Sequence, residues 1–167
     1  APSDVGVRNL ALVASFFLTG CATAVDESRF QSIAQADSWL EPQEPVILFE
    51  SGADARAYPL QILVWHEIVK DVVNGDPVLI TFCPLCNTAI AFARQVNGRV
   101  LDFGTTGRLR YSNLIMYDRQ TETWWQQATG EALAEELAGE RLTPVVAINH
   151  FWFSWVAFKP ETRVYQP

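Results

Sequence analysis

Two Asn-Gly dipeptides, Asn74-Gly75 and Asn97-Gly98, constrain the fold of this chain more than any other feature. Each lies between runs that are rich in β-branched and aromatic residues. Because Asn and Gly readily adopt the positive φ angles of a two-residue primed turn, each dipeptide predicts a β-hairpin. The predicted arms are 68–73 with 78–82, and 89–96 with 99–103.

Other segments extend this pattern. A third hairpin is predicted from 114–117 and 123–127 around the turn 118–122, and single strands are predicted at 45–50 and 145–149. Short helices are predicted at 32–40, 60–66 and 151–158, whereas 131–137 fits either a helix or a strand. Closely spaced turns with short helices indicate a mainly β (α+β) fold, a single compact domain of β-hairpins.

The composition narrows the class of partner. The chain has 167 residues, 49% of them hydrophobic, and a net charge of −7 that belongs to the part after residue 25. That part is long enough for one domain with a substantial core. An acidic domain is a poor nucleic-acid binder, because phosphate neutralisation needs Lys and Arg. Its charge fits either simple solubility or the steering of a basic electron carrier such as a small cytochrome.

The N-terminal segment has the pattern of an export signal. Arg8 precedes an apolar run that ends in Leu18-Thr-Gly-Cys21, which also fits a lipoprotein signal with Cys21 as the lipidated residue. The run 9–25 has 17 residues, roughly 25 Å of helix, so an uncleaved signal anchor is the alternative. A third reading is a short buried helix of a soluble protein. The anchor reading rests on five apolar side chains: Leu10, Leu12, Phe16, Phe17 and Leu18.

This segment predicts two regions and a location. Residues 1–25 form the signal anchor or lipoprotein leader, and residues 26–167 form an extracytoplasmic mainly-β domain. The main domain is therefore expected outside the cytoplasm, in the periplasm, held at the inner membrane. The predicted partners are membrane lipid and integral membrane protein subunits, because helices in lipid gain fixed positions by packing against other helices.

Cys83-Pro84-Leu85-Cys86 follows the apolar run 78–82 and allows three readings. A Cys-X-X-Cys pair can cycle between dithiol and disulfide, usually with its N-terminal thiol activated by a helix, yet 87–92 has no helical pattern. The pair can also supply half of a tetrahedral site for zinc or another thiophilic metal, with His66 and His150 as the remaining ligands. The third reading is a structural disulfide or two buried thiols.

Outside the cysteines, the chemistry-bearing residues are scattered. His66 and Glu67 are adjacent, which fits a general base or a ligand, although a histidine beside Trp65 is more often a hydrogen-bonded core residue. The segment 104–107, Gly-Thr-Thr-Gly, is a weak phosphate-loop signal because it lacks the lysine and helix of a P-loop. Arg108 beyond it has the planar fork that binds carboxylate or phosphate.

Several motifs together resemble a bacterial family known as domain of unknown function 3179. They are Asp54-Ala-Arg-Ala-Tyr-Pro-Leu60, Trp65-His-Glu-Ile-Val69, Thr81-Phe-Cys-Pro-Leu-Cys86, Phe103-Gly104, Met116-Tyr-Asp-Arg119 and Thr121-Glu122 with Trp125 and Gln127. The resemblance covers 37–164 and implies an exported or membrane-anchored protein, but it supplies no reaction. Asn87 stands where the family's pattern predicts a small residue, often Gly, and is compatible with a turn.

The candidate site residues follow from these patterns. Cys83, Cys86, His66 and Glu67 are the catalytic candidates, and the first three are also the candidate metal ligands. A ligand-binding role is predicted for six others: Asp54, Arg56, Tyr58, Arg108, Arg119 and Glu122. Two functions are expected. The first is a membrane-anchored accessory subunit of an inner-membrane complex, such as a respiratory or photosynthetic electron-transfer complex. The second is a thiol-redox or metal-binding protein that uses Cys83 and Cys86 with His66.

Overall fold

A computed structural model describes residues 27–166 of the chain. Fifteen strands and three α-helices follow a short 3₁₀ helix at Glu27–Arg29. In chain order they are β1 (Phe30–Gln31), α1 (Ile33–Ala36), β2 (Pro45–Ser51), β3 (Asp54–Pro59), α2 (Leu60–His66), β4 (Ile68–Val73), β5 (Asp76–Cys83), β6 (Thr88–Ala93), β7 (Gln95–Val96), β8 (Arg99–Val100), β9 (Phe103–Arg110), β10 (Asn113–Asp118), β11 (Trp124–Gln126), β12 (Ala132–Ala134), β13 (Pro144–Val145), β14 (Ala147–Phe151), α3 (Trp152–Val156) and β15 (Arg163–Tyr165). The mainly β prediction is confirmed.

The turns predicted from Asn-Gly are present. Asn74 has a φ of 50° and Gly75 a φ of 86°, and they join β4 to β5 in antiparallel register. Asn97 and Gly98, at 50° and 75°, join β7 to β8. The second hairpin is shorter than predicted, because each of its strands, β7 and β8, has only two residues. The rest of the predicted arms belongs to β6, which pairs with β5, and to β9, which pairs with β10. The third predicted hairpin is confirmed as β10 and β11.

Several strands were not predicted, among them β1, β15, β3 and most of β9. β3 (Asp54–Pro59) directly precedes α2 and pairs with β2 along its whole length. β9 includes 104–107, so the phosphate-loop reading is wrong: this segment is a strand paired with β10. Tyr111 and Ser112, with φ of 52° and 61°, make the turn between β9 and β10. Neither is a residue that marks such a turn in sequence.

The strands form three main sheets and a two-stranded ribbon. Their orders are β1-β15-β3-β2-β14, β13-β6-β5-β4, β12-β11-β10-β9 and β7-β8. The sheet that contains β5 supplies side chains to two cores. The first core is the cluster of Ile47, Phe49, Tyr58, Ile62, Leu63, Val69, Val73, Val78, Ile80, Phe82, Ala91 and Tyr165. The second core is the cluster of Leu79, Cys83, Phe92, Val96, Leu101, Phe103, Leu114, Met116, Trp125, Ala132 and Leu142.

The two cores place the sheet of β5 between the other two sheets. The first core joins it to the five-stranded sheet, and the second core joins it to the sheet of β9–β12. A third cluster, which includes Trp152 of α3 and Ala36 of α1, covers the five-stranded sheet through Val46 and Leu48. The two-residue period of a β-strand explains how β5 contributes to two cores, because its successive side chains point to opposite faces of the sheet.

The predicted anchor lies outside the described residues, as do Cys21 and the five apolar side chains named for it. Within residues 27–166, no helix is long and apolar enough to cross a bilayer.

Candidate functional site

The two cysteines lie where β5 turns into β6. Cys83 is the last residue of β5 and pairs with Thr88, the first residue of β6. Asn87 closes the turn with a φ of 50°, the left-handed conformation that the sequence analysis allowed for it. Cys83 is buried, whereas Cys86 is half-buried, and the two sulfurs are not bonded to each other. Cys86 is therefore the more accessible of the two thiols, and its sulfur lies 3.9 Å from the carbonyl oxygen of Cys83.

Each sulfur has polar neighbours from the turn and start of β10. The side-chain amide Nδ2 of Asn113 donates to the sulfur of Cys86 at 3.1 Å. The thiol of Cys83 lies 3.9 Å from the carbonyl oxygen of Ser112 and also hydrogen-bonds to Cys86. The sheet that contains β10 thus closes over the cysteine pair, and it supplies a donor to the more exposed sulfur.

Other contacts fix the orientation of Asn113. Its Oδ1 accepts from the backbone N–H of Ala128 at 2.8 Å, which directs its Nδ2 towards Cys86. The same Nδ2 donates to Oε1 of Gln127 at 2.8 Å. Both hydrogens of the Asn113 amide are therefore used, and rotation of the amide would break all three contacts.

Gln127 extends this arrangement into the second core. Its Nε2 donates to Oγ1 of Thr81 at 2.9 Å and to the carbonyl oxygen of Thr88 at 3.0 Å. Thr81 in turn donates to the carbonyl oxygen of Ile90 at 2.7 Å. Gln127, Thr81 and Asn113 are all buried. Burial of such groups is costly unless they are hydrogen-bonded, and here they are. We call Asn113, Gln127 and Thr81 the amide network.

The surroundings shift the pKa values of the two thiols in opposite directions. Desolvation raises the pKa of Cys86, but hydrogen bonds from Cys83, Thr88 and Asn113 outweigh it, so the pKa lies below that of an ordinary thiol. Burial raises the pKa of Cys83, and its hydrogen bond to Cys86 adds to the increase. Because the thiolate is the nucleophile, these directions of pKa shift favour Cys86 as the attacking thiol.

This order of reactivity differs from the expectation for a Cys-X-X-Cys motif. That expectation placed the reactive thiol first and a helix after it. In the structure β6 follows the turn, which confirms that 87–92 does not begin a helix. Hydrogen bonds to Cys86 take the place of a helix N-terminus as the source of thiolate stabilisation.

His66 is not part of this arrangement. It is exposed at the end of α2 and lines a groove of about 570 Å³ with Trp39, Trp65 and other residues, neither cysteine among them. Within residues 27–166, no three His, Cys, Asp or Glu side chains are grouped so that they could hold a metal ion. Among the described residues, the three predicted ligands Cys83, Cys86 and His66 are therefore not grouped as a metal site would require.

The backbone of Glu67 is hydrogen-bonded to β5, the strand that ends at Cys83. Its carbonyl oxygen accepts from the N–H of Phe82, the residue before Cys83, at 2.8 Å. Its φ of 58° ends α2, and desolvation raises the pKa of its carboxyl group. Among the described residues no hydrogen bond joins this carboxylate to either sulfur, so its catalytic role stays a prediction.

Three of the six predicted ligand-binding residues lie on β3, away from the cysteine turn. Arg56 is buried and pairs with Asp54 at 3.0 Å and with Glu27 at 3.3 Å. The hydroxyl of Tyr58 donates to the carboxylate of Asp71 at 2.6 Å. Burial raises the pKa of Tyr58 well above its usual value, and the neighbouring Asp71 adds to this. The hydrogen bond between Tyr58 and Asp71 joins the five-stranded sheet to β4.

The other three lie on or after β9. Arg108 is exposed, with its guanidinium 5.3 Å from the ring centre of Trp124. Arg119 pairs with Asp102 at 3.2 Å, and Glu122 occupies the turn before β11 with a φ of 56°. The six residues therefore do not form one site, because three belong to the five-stranded sheet and three to the region of β9–β11.

Sequence reasoning missed most of the amide network as a functional feature. Thr81 and Gln127 appeared only as positions of the family resemblance, and Asn113 did not appear at all. One signal was present: Thr81 interrupts the apolar run 78–82. A polar residue inside an otherwise buried strand needs a partner, and here the partner is Gln127.

The fold and the site define a class: a mainly β protein in which a Cys-X-X-Cys turn lies over a buried amide network. The sequence profile of the family described as "Protein of unknown function (DUF3179)" matches residues 21–148. The match covers well over half of the chain, so the chain belongs to this family, which confirms the resemblance. No curated protein and no solved structure matches the chain.

Proposed function

We propose that this protein is a thiol–disulfide redox protein in which Cys86 is the attacking thiol and Cys83 the resolving thiol. The observation that carries the proposal is the hydrogen bond of 3.1 Å from Asn113 to the sulfur of Cys86. Gln127 and the backbone of Ala128 hold this donor in place before any reaction begins. A donor fixed towards a sulfur stabilises the thiolate more than the thiol.

The exchange runs in two steps. The thiolate of Cys86 attacks one sulfur of a partner's disulfide, and the other sulfur leaves with the electron pair and takes up a proton. Cys83 then loses its proton and attacks the sulfur of Cys86, which releases the second partner thiol. The Cys83–Cys86 pair is oxidised by two electrons, and the partner's disulfide is reduced to two thiols. The reverse sequence oxidises a partner dithiol.

The predicted leader supports a location for this chemistry. Protein disulfides form and persist mainly outside the cytoplasm. If residues 1–25 are an anchor or a lipidated leader, the domain works at the outer face of the inner membrane, with lipid and integral membrane subunits as neighbours. Its exchange partners are then extracytoplasmic proteins.

Alkylation of single-cysteine variants tests the order of the two thiols. The full chain in mild detergent would carry Cys21→Ala, so that Cys83 and Cys86 are the only thiols. With iodoacetamide over a range of pH, we expect the Cys83→Ala variant to react readily through Cys86. The Cys86→Ala variant should react slowly, because Cys83 is buried. Equal rates at the two positions would contradict the assignment.

A redox titration tests the cycle itself. The Cys21→Ala protein is equilibrated with glutathione buffers of graded potential, then alkylated and weighed by mass spectrometry. We expect a reversible two-electron transition between the dithiol and the Cys83–Cys86 disulfide. The Cys83→Ala variant is the matched control, since it can form only a mixed disulfide with glutathione. A pair that never oxidises, or that cannot be reduced again, would rule out a redox cycle.

A second candidate function is the accessory subunit of an inner-membrane complex. The edge strand β14 favours it, because Ile148 and Phe151 are exposed there and Phe153 stacks on Phe151 with ring centres 6.4 Å apart. An exposed apolar edge strand is a common docking surface. Purification in mild detergent from the native membrane tests this candidate. Membrane subunits at fixed stoichiometry would support it, and loss of none of them in an Ile148→Lys variant would contradict a role for β14.

A further inference from the structure

The surface beside Cys86 is not acidic, although the chain is. The turn of Tyr111 and Ser112 lies next to the cysteine pair, because the carbonyl oxygen of Ser112 accepts from Cys83. Tyr111 is 85% exposed, and Leu85, between the two cysteines, is 70% exposed. The strand that leads into this turn ends in Arg108-Leu109-Arg110. The exposed Leu85 and Tyr111 therefore lie in the two turns that meet at the cysteine pair, and two arginines lie on the strand that leads into the second turn.

Arg110 is placed close to the site by strand register. It pairs across the β9–β10 ladder with Asn113, the residue whose amide contacts Cys86. Its guanidinium donates to Oε1 of Gln126 at 2.8 Å and lies 5.1 Å from the ring centre of Tyr111. Arg108 is two residues further along the same strand. We call Arg108 and Arg110 the arginine rim.

The arginine rim differs from most of the basic residues of the domain. Six basic side chains form ion pairs with carboxylates: Arg56, Lys70, Arg99, Arg119, Lys159 and Arg163. Within residues 27–166 neither arginine of the rim has such a partner. Arg108 lies over the ring of Trp124, and Arg110 contacts the ring of Tyr111 and the amide oxygen of Gln126. Both arginines therefore carry a positive charge without a carboxylate partner among the described residues, in a chain of net charge −7.

We propose that the exchange partner of Cys86 presents its disulfide on an acidic polypeptide segment, whose carboxylates bind the arginine rim. This inference rests on the proposed thiol–disulfide function and adds the chemical class of the substrate. Guanidinium groups bind carboxylates through paired charge-assisted hydrogen bonds. Leu85 and Tyr111 supply apolar contact area around the scissile disulfide, and Tyr is favoured at such interfaces. The negative charge of the rest of the domain disfavours other approaches of the same segment.

Three activated peptides test the inference on the reduced full chain carrying Cys21→Ala. Each peptide has one cysteine in a mixed disulfide with 2-thiopyridine, flanked by Glu, by Gln or by Lys. Attack by Cys86 joins it to the peptide sulfur and releases thiopyridone, whose absorbance gives the second-order rate. We expect the Glu peptide to react roughly tenfold faster than the Gln peptide at low salt, with the Lys peptide slowest. The difference should fall strongly at about 1 M salt.

Variants assign the preference to the rim. Arg108→Gln with Arg110→Gln should bring the Glu peptide down to the rate of the Gln peptide. Arg110→Lys should retain part of the preference, because it keeps the charge without the planar fork. Arg141→Gln is the matched control: Arg141 is an exposed arginine that donates to the carbonyl of Thr129 and has no ion pair within residues 27–166. Its loss should leave the preference intact.

The outcomes separate this inference from the function on which it rests. Equal rates for the three peptides, or a Glu preference that survives loss of both rim arginines, would overturn the acidic-partner inference and leave thiol exchange standing. No thiopyridone release from any peptide, the neutral one included, would overturn thiol exchange and the inference together.

Discussion

The two faces of β5 are built from one continuous run of residues but have different chemistry. On one face Val78, Ile80 and Phe82 enter the first core, where their neighbours are mostly aliphatic and aromatic. On the other face Thr81 and Cys83 meet the amide network and the cysteine turn. All of these residues are buried. The strand therefore pairs a face that stabilises the fold with a face that holds polar groups.

Stability alone accounts for the apolar face of β5 but not for the face that carries buried polar groups. Apolar burial stabilises a fold roughly in proportion to the area removed from water, about 25 cal/mol per Å². A buried hydrogen bond adds only about 0.5–1.5 kcal/mol net, and an unsatisfied buried group costs about 1–3 kcal/mol. Apolar side chains at the three positions of the amide network would avoid the cost of burying polar groups. The proposed function gives the network a role, because Asn113 donates to the sulfur of Cys86.

The largest effect that sharpens this comparison is expected from Ile80→Ala. The substitution removes a fully buried side chain of the first core, so the free energy of unfolding should fall by about 2–5 kcal/mol. The pH midpoint of Cys86 alkylation should not change. Chemical denaturation and iodoacetamide kinetics measure the two quantities. Ile148→Ala, at an exposed isoleucine on β14, is the control and should cost at most about 0.5 kcal/mol. A shifted Cys86 midpoint in Ile80→Ala would mean that the two faces are not independent.

Asn113→Ala should have a smaller effect on stability and a direct effect on the thiol. It leaves Oε1 of Gln127 and the N–H of Ala128 without their partner, which should cost about 1–3 kcal/mol of unfolding free energy. It also removes a hydrogen bond that lowers the pKa of Cys86, so the alkylation midpoint should move to higher pH. Asn149→Ala, on exposed β14, is the matched control. An unchanged midpoint in Asn113→Ala would remove the main support for the proposed function.

The smallest expected effect is the pH dependence of stability in the reduced protein. The pKa of Cys86 is lower in the folded state than in the unfolded state, so its thiolate stabilises the fold above the unfolded value, and this contribution is lost as the pH falls through the folded value. The pKa of Cys83 is raised, so Cys83 acts only above the ordinary thiol pKa, where it lowers stability as the pH rises. Between the folded and unfolded pKa of Cys86, unfolding free energy should therefore rise with pH.

Urea titrations of the reduced Cys21→Ala protein over this pH window would measure the slope. The same titrations on a variant that also carries Cys86→Ser give the reference, since it lacks the titrating thiol. Subtraction of the two curves isolates the contribution of Cys86. A flat difference curve would show that the amide network does not stabilise the thiolate.

Local patterns predicted much of the fold. The Asn-Gly turns, the helix Leu60–His66 and the β10–β11 hairpin are where the sequence placed them. The β9–β10 hairpin was missed because Tyr111 and Ser112 take positive φ angles that their residue types do not favour. The pairing of β9 with β10, rather than the local preference of these two residues, sets that turn.

The candidate site was predicted only in part. The spacing of Cys83 and Cys86 marked the pair, but His66 was grouped with it only because both carry chemistry that metals use. In the fold, His66 faces a groove at the end of α2, and no metal group forms among the described residues. His66 and the cysteines are residue types that bind the same metals, but the fold does not group them. The helix α2 packs in the first core, whereas Cys83 packs in the second.

By itself the sequence determined the turns, the strand-rich content and the cysteine pair, because each depends on residues that are neighbours along the chain. The tertiary structure decided which thiol receives the amide donor. Asn113 is 27 residues after Cys86, and Gln127 is 46 residues after Thr81, so no local pattern connects them. The packing of the β10 sheet on β5 brings these amides to the cysteine turn. That long-range packing gives the two thiols of a common motif different surroundings.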